Sequence, residues 1–193
     1  MTRFDIINKL IQKHSYKTYL EIGTQFGQCF KHINIENKIC VDPVKCFDEL
    51  THEMTSDEFF EQNTKTFDII FVDGLHLEHQ STKDIHNSIK VLNKNGTIIA
   101  HDCLPQTEEF TQLCHSGTVY RSIIDLRYNN PELTVLTVDT DCGCTIITKS
   151  SKPTEPYSCV PIELAKTFYY YKKNQKELMN VVSIEEFQSS LNS

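Results

Sequence analysis

Two sets of residues in this chain have side chains and spacings that suit chemistry. In the first, a short apolar run, Tyr19-Leu20-Glu21-Ile22, stops at Gly23, and Gly27 follows in the next turn. A second apolar run, Ile39-Cys40-Val41, ends on Asp42, nineteen residues after Gly23. Strand, glycine turn, helix, strand and terminal acid is the layout of a nucleoside-binding βαβ unit, in which the acid accepts hydrogen bonds from ribose hydroxyls. The spacing is E-x-G-x-x-x-G and not G-x-G-x-x-G, and a pyrophosphate would be repelled by the Glu21 carboxylate. A cationic cosubstrate would not, which favours S-adenosylmethionine over NAD.

The second set is Asp73, His76 and Asp102. Asp73 closes the run Phe67-Asp68-Ile69-Ile70-Phe71-Val72, and Asp102 follows Thr97-Ile98-Ile99-Ala100-His101. Two carboxylates at the ends of neighbouring strands suit a hard divalent cation, which can fix and acidify a substrate hydroxyl. His76, with an ordinary pKa of about 6.5, can take a hydroxyl proton near neutral pH. His79 and His101 compete for that role by position, whereas His86 reads as a surface helix residue.

The elements that must position these groups follow from periodicity. Phe4, Ile7, Leu10 and Ile11 predict an amphipathic helix over 3–13. Strands are expected at 18–22, 38–42, weakly at 52–54, then at 67–72 and 97–100. Ser56, ahead of Asp57-Glu58, reads as a helix N-cap. Helices are expected over 78–92, closed by Asn95-Gly96, and around 118–128. Two β-rich runs, 133–138 and 144–148, flank a hairpin signal at 139–143. Alternating strands and helices ending in a hairpin describe a doubly wound α/β sheet with an antiparallel edge. Beyond residue 150 the composition shifts to a helical extension, with a helix over 161–180 and a capping box at Ser183–Glu186. The chain is therefore divided into residues 1–150, carrying the sheet, and 151–193, an extension of the same domain.

With 193 residues, 26 acids and 19 bases, the net charge of −7 argues against a nucleic-acid partner. No apolar run approaches the roughly eighteen residues of a membrane span, and Met1-Thr2-Arg3-Phe4 lacks a signal-peptide core, so the expected location is the cytoplasm. Eight cysteines form no C-x-x-C pair. Cys142 and Cys144 are expected on one strand edge, and all the thiols are expected to be reduced.

Four signatures in order give the chain a family resemblance: Leu20-Glu21-Ile22-Gly23 with Gly27; Val41-Asp42-Pro43; Phe67–Gly74 with His76; and Asn95-Gly96 leading to His101-Asp102. Over residues 16–149 the chain resembles the class I S-adenosylmethionine-dependent methyltransferases, in particular the small O-methyltransferases related to catechol O-methyltransferase and to sugar and antibiotic O-methyltransferases. The resemblance implies a seven-stranded sheet. It places Glu21, Gly23, Thr24, Gly27 and Asp73 along the methionine and ribose side of a cosubstrate pocket, Asp42 on the ribose, and Ser56 and Asp57 against adenine. It also implies magnesium or a similar cation on Asp73 and Asp102, although Cys103 stands where the catechol enzymes carry a third ligand, an asparagine. The acceptor is expected to be a small molecule, with sugar hydroxyls preferred, and a homodimer is left open. An N-methyltransferase on the same scaffold and a non-catalytic nucleotide-binding or scaffold protein are the alternatives.

Overall fold

Phe67–Val72 (β4) carries five apolar side chains in six residues. In the computed structural model, which describes residues 1–150 and 160–192, it runs near the centre of one eight-stranded sheet. Successive strand side chains point to opposite faces. Ile70 and Val72 accordingly join the cluster on one face, while Ile69 and Phe71 join the cluster on the other. Strand β1 (Thr18–Ile22) divides in the same way, Leu20 and Ile22 against Tyr19. Helices α3 (Glu78–Val91) and α4 (Val119–Asn129) contribute Ile85, Tyr120, Ile123 and Ile124 to the first face. Helices α1 (Arg3–His14) and α7 (Ile184–Asn192) contribute Ile6, Ile7, Leu10 and Phe187 to the second. Full burial of each such side chain stabilises the fold by about 1.5–3 kcal/mol, so a sheet covered on both faces tolerates polar groups only at its ends.

The strand order is β3-β2-β1-β4-β5-β7-β6-β8, with β2 at Asn37–Asp42, β3 at His52–Glu53, β5 at Leu92–Ala100, β6 at Leu133–Val138, β7 at Cys144–Lys149 and β8 at Val181–Val182. Strands β1 to β5 pair in parallel, and β7 runs antiparallel to both β5 and β6. Chain direction across the sheet reverses between β1 and β4, the point where open α/β sheets bind ligands outside the carboxyl ends of their strands. No helix of the described residues is long and apolar enough to cross a membrane.

Several expectations are corrected. The sheet has eight strands and not seven, because Val181 and Val182 add in parallel to β6. Two residues are too few to show a period, and the pairing is fixed from a distance by Asn180, whose carbonyl accepts from Thr137 N–H at 3.1 Å and whose Nδ2 donates to the Val135 carbonyl at 2.9 Å. Between β1 and β2 there is no helix, only turns and a short 3-10 segment, Phe30–His32, since Gln25 and Gly27 both take left-handed φ. Helix α2 (Ser56–Gln62) is capped by Thr55, in a reciprocal pair with Glu58, and not by Ser56. Asn95-Gly96 does not close α3. It lies inside β5, where the register slips between the Phe67–Leu92 and Ile69–Thr97 pairs and Asn95 sits at φ 67°. The single helix expected over 161–180 is two, α5 (Ile162–Ala165) and α6 (Phe168–Leu178), broken where Thr167 caps the second. Cys142 lies in the hairpin turn at φ 60°, exposed, and only Cys144 is on the strand, buried. The described cysteines are all free thiols; Cys159 lies outside the described residues.

Candidate active site

Gly23 starts the site. Its φ is 81°, its N–H donates to the Val41 carbonyl at 2.9 Å, and a Cβ there would stand 2.1 Å from the Asp73 carbonyl oxygen. Only glycine lets the β1 and β4 ends approach this closely. Two adjoining cavities open at this junction and share Gly23, Gln25, Phe26 and Asp73. The larger, about 610 Å³, lies over β2 and α2 and is lined by Asp42, Val44, Ser56, Asp57, Leu75 and Gln80 among others. The smaller, about 170 Å³, is lined by Arg3, Glu21, Thr24, His76, His101 and Asp102 among others.

Asp42 ends β2 as expected, with its carboxylate already tied to the backbone. Oδ2 accepts from the N–H groups of Thr24 (3.0 Å) and Gln25 (2.8 Å), and Oδ1 accepts from Val44 N–H (2.9 Å). It therefore shapes the turn that forms the cavity floor, with lone pairs remaining for a ligand. Ser56 Oγ and Asp57 Oδ1 both accept from Gln80 Nε2 at 3.2 Å, and Lys83 pairs with Asp57 at 2.6 Å. Gln80, on α3, carries no motif and was not expected. Gly27 lines neither cavity, and its φ of 73° packs the turn against the Phe47 ring instead.

Glu21 points into the sheet end, 1% exposed. Burial pushes its carboxyl up to about 8, against the hydroxyl of Tyr19, which donates to Oε2. With that shift Glu21 is mostly neutral near pH 7. The expected repulsion of phosphate by a Glu21 carboxylate is weakened accordingly. Burial raises the Asp73 carboxyl, but His101 and His76 outweigh that and hold it at about 2.

At the ends of β4 and β5 four titratable groups meet. His76 Nε2 lies 3.4 Å from Asp73 Oδ1 and 3.3 Å from Asp102 Oδ2. His101 Nδ1 lies 3.3 Å and 3.1 Å from the same two oxygens. The His115 carbonyl accepts from His76 Nδ1 at 2.5 Å, which turns Nε2 toward the carboxylates. The hydrogen bond with Asp73 and the charge of Asp102 raise the His76 pKa above its ordinary value, against burial. Burial lowers that of His101, but Asp73, Asp102 and Asp141 outweigh it and raise the His101 pKa well above its ordinary value. Asp102 itself takes φ 59° and accepts from Ser116 Oγ at 2.9 Å.

The same left-handed turn corrects the reading of Cys103. Its thiol is fully buried and faces the core, donating to the Ala100 carbonyl at 3.4 Å, with burial pushing it up to about 12. The group beside the two carboxylates is His101, one residue after the end of β5, and not Cys103. Ligand atoms of Asp73, His76 and Asp102 lie within 4.8 Å of one another, and two carboxylates with an oriented imidazole fit a divalent cation. A second cluster, His101, Asp141 and Cys144, already contains a cation: Arg3 Nη1 lies 2.9 Å from Asp141 Oδ1. His79 lines neither cavity, and His86 bonds within α3 to the Thr82 carbonyl. Arg3, His115, Ser116 and Asp141 belong to the site's surroundings and carry no local sequence signal, because each is brought in from another part of the chain.

Residues 44–103 match the family model described as a methyltransferase domain. No curated protein matches the chain in sequence. Among solved structures, the O-methyltransferase TomG from Streptomyces achromogenes, crystallised with S-adenosylmethionine, superposes with a TM-score of 0.60 at 11% identity, over 77% of this chain and 80% of that one. The O-methyltransferase from Bacillus cereus in complex with S-adenosylhomocysteine gives 0.57 at 12% identity, over 77% and 80%. The S-adenosylhomocysteine-bound methyltransferase PaMTH1 from Podospora anserina gives 0.57 at 15% identity, over 77% and 78%. At such identities the likeness is one of fold. Residues 44–103 of this chain are thus similar to a methyltransferase domain, and over 77% of its length the chain shares the fold of these methyltransferases.

Proposed function

We propose that the chain is an S-adenosylmethionine-dependent O-methyltransferase acting on a hydroxyl of a small molecule, with sugar hydroxyls as the first class to test. The observation that carries this reading is the placement of His76 Nε2 against Asp73 and Asp102, on the wall of the cavity that also holds Glu21. In this reading the nucleoside occupies the larger cavity beside Asp42, Ser56 and Asp57, and the methionine end occupies the smaller one. The acceptor oxygen attacks the methyl carbon as the carbon–sulfur bond breaks. The hydroxyl proton passes to His76 Nε2, and a neutral thioether leaves. The sulfonium is already activated, so alignment and proton removal are the work left to the protein. Where a divalent cation binds, Asp73 and Asp102 would hold it, and it would supply Lewis acidity toward the acceptor hydroxyl.

An O–H acceptor suits a site that offers a base and two carboxylates, whereas an amine nucleophile needs neither the base nor the cation. Calorimetry with S-adenosylmethionine, S-adenosylhomocysteine and NAD tests the cosubstrate, with binding of the first two and not the third expected. Radiolabelled methyl transfer to a panel of sugars, catechols and amines then tests the acceptor. Transfer to amines alone would overturn the O-methyl reading.

A further inference from the structure

Of the four buried side-chain polar atoms that lack a hydrogen-bond partner among the described residues, two belong to the wall of the 170 Å³ cavity: Arg3 Nε and Thr24 Oγ1. Buried polar groups are almost always satisfied in folded proteins, so two orphans on residues that line one cavity point to a missing partner. Thr24 is 5% exposed, on the turn after β1. Arg3 comes from α1, outside the βαβ unit. The reciprocal cap between Thr2 and Asp5 begins α1 at Arg3, and the hairpin turn then seizes that residue. Asp141 Oδ2 accepts from Arg3 backbone N–H at 2.7 Å, and Asp141 Oδ1 accepts from Arg3 Nη1 at 2.9 Å. Nη1 also lies 3.3 Å from His101 Nε2.

One edge of the guanidinium is thereby used and the other is not. Among the described residues, neither Nε nor Nη2 has an acceptor. Nε–H and one N–H of Nη2 lie parallel, the fork that receives a carboxylate through two hydrogen bonds. The same cavity is also lined by Asp73 and the ionisable Glu21. A small cavity lined by an arginine with an unused guanidinium edge, by the Thr24 hydroxyl and by carboxylates matches an α-amino-acid zwitterion.

We propose that Arg3, helped by Thr24, is the residue that binds the α-carboxylate of the cosubstrate's methionine end. The proposal rests on the cosubstrate reading above and adds a determinant that lies outside the βαβ unit. It gives α1 a function besides packing: its first residue, pinned to the β6–β7 turn, completes the pocket. Orientation of the fork is set by Asp141, so the carboxylate meets a cation already held in place.

The test compares two ligands on the same variants. S-Adenosylhomocysteine carries the amino-acid portion, and 5′-deoxy-5′-methylthioadenosine has the same nucleoside and thioether without it. Calorimetric titration of Arg3→Gln should show a loss of roughly 10- to 100-fold for S-adenosylhomocysteine, the range for a charged hydrogen bond. Methylthioadenosine should bind within about twofold of its wild-type affinity, which also reports that the variant is folded. Arg3→Lys should recover only part of the loss, because a point charge does not reproduce the fork. Thr24→Val should lose several-fold on S-adenosylhomocysteine alone, on the order of one neutral hydrogen bond. Equal losses on both ligands in Arg3→Gln, or none on either, would overturn the assignment. So would wild-type protein that binds methylthioadenosine as tightly as S-adenosylhomocysteine, and that result would leave the nucleoside reading standing. Wild-type protein that binds neither ligand overturns the cosubstrate reading and this proposal with it.

Discussion

Nε2 of His76 lies 3.3 Å from Oδ2 of Asp102, two residues from different crossover connections that meet because β4 and β5 are paired neighbours. His76 sits four residues beyond its strand and Asp102 two beyond its own, so the contact depends on the turns as much as on the sheet. The His115 carbonyl behind His76 and the Ser116 hydroxyl behind Asp102 come from one loop, which fixes both partners at once. The first prediction bears on this pair.

His76→Ala should lower turnover by roughly 10²–10⁴-fold while leaving S-adenosylhomocysteine affinity within a few-fold of wild type. In the proposed reaction the neutral imidazole is the base, and its pKa is raised by Asp73 and Asp102, so the rate should rise with pH along a limb centred above 6.5. His79→Ala should change neither quantity. A full loss of activity in His79→Ala with His76→Ala active would move the base to the other histidine.

Glu21 links stability to ligand binding. Its folded pKa of about 8 exceeds the ordinary 4.5 of a glutamate, so the folded state holds a proton that the unfolded chain releases. The stability carried by that proton is complete below about pH 4.5 and is lost as pH rises toward 8, on the order of 3 kcal/mol by pH 7. Glu21→Gln, permanently neutral and still able to accept from Tyr19, should melt at higher temperature than wild type at pH 7–8. It should also bind S-adenosylhomocysteine more weakly, having no charge to offer the ammonium. Thermal melts at pH 5 and pH 8 check the first expectation, with the difference between the two proteins shrinking at the lower pH.

A divalent cation, if it binds at Asp73 and Asp102, should do so in wild type and not in Asp73→Asn or Asp102→Asn. Titration of Mn²⁺ followed by electron paramagnetic resonance of the free ion measures this without any acceptor. Turnover lost in chelator and restored by Mn²⁺ or Mg²⁺ would make the cation part of the reaction, and His76→Ala would separate two roles. Weakened Mn²⁺ binding in that variant makes Nε2 a ligand, whereas unchanged binding keeps it as the base. Full turnover in excess chelator would leave the carboxylates as partners that orient His76.

Gly117 supports His76 from behind. Its φ is 58°, and a Cβ there would stand 1.9 Å from the His76 carbonyl oxygen. Gly117→Ala should therefore displace His76, destabilising the fold by about 1–3 kcal/mol through strain and collision. Turnover should fall far more than S-adenosylhomocysteine affinity. Calorimetric melting and binding on the same sample distinguish this from general unfolding, in which both would fail together.

Much of this molecule is determined locally. The apolar run Phe67–Val72 and the β-rich runs Leu133–Val138 and Cys144–Lys149 mark strands whatever surrounds them, because burial on one or both faces is written in the residue types. Gly23 and Asp42 could be read from spacing, since the turn they form is closed between residues near in sequence. Tertiary structure alone decided the rest. The two valines of β8 pair only because Asn180 presents them to β6, and the inward thiol of Cys103 follows from the left-handed backbone at Asp102. Arg3 reaches the site through Asp141, 138 residues away, and His76 is aimed by a carbonyl 39 residues away. Sequence patterns register short-range periodicity and turn chemistry. A side chain's hydrogen-bond partner and charge state are set by whichever distant segments the packed sheet brings alongside it.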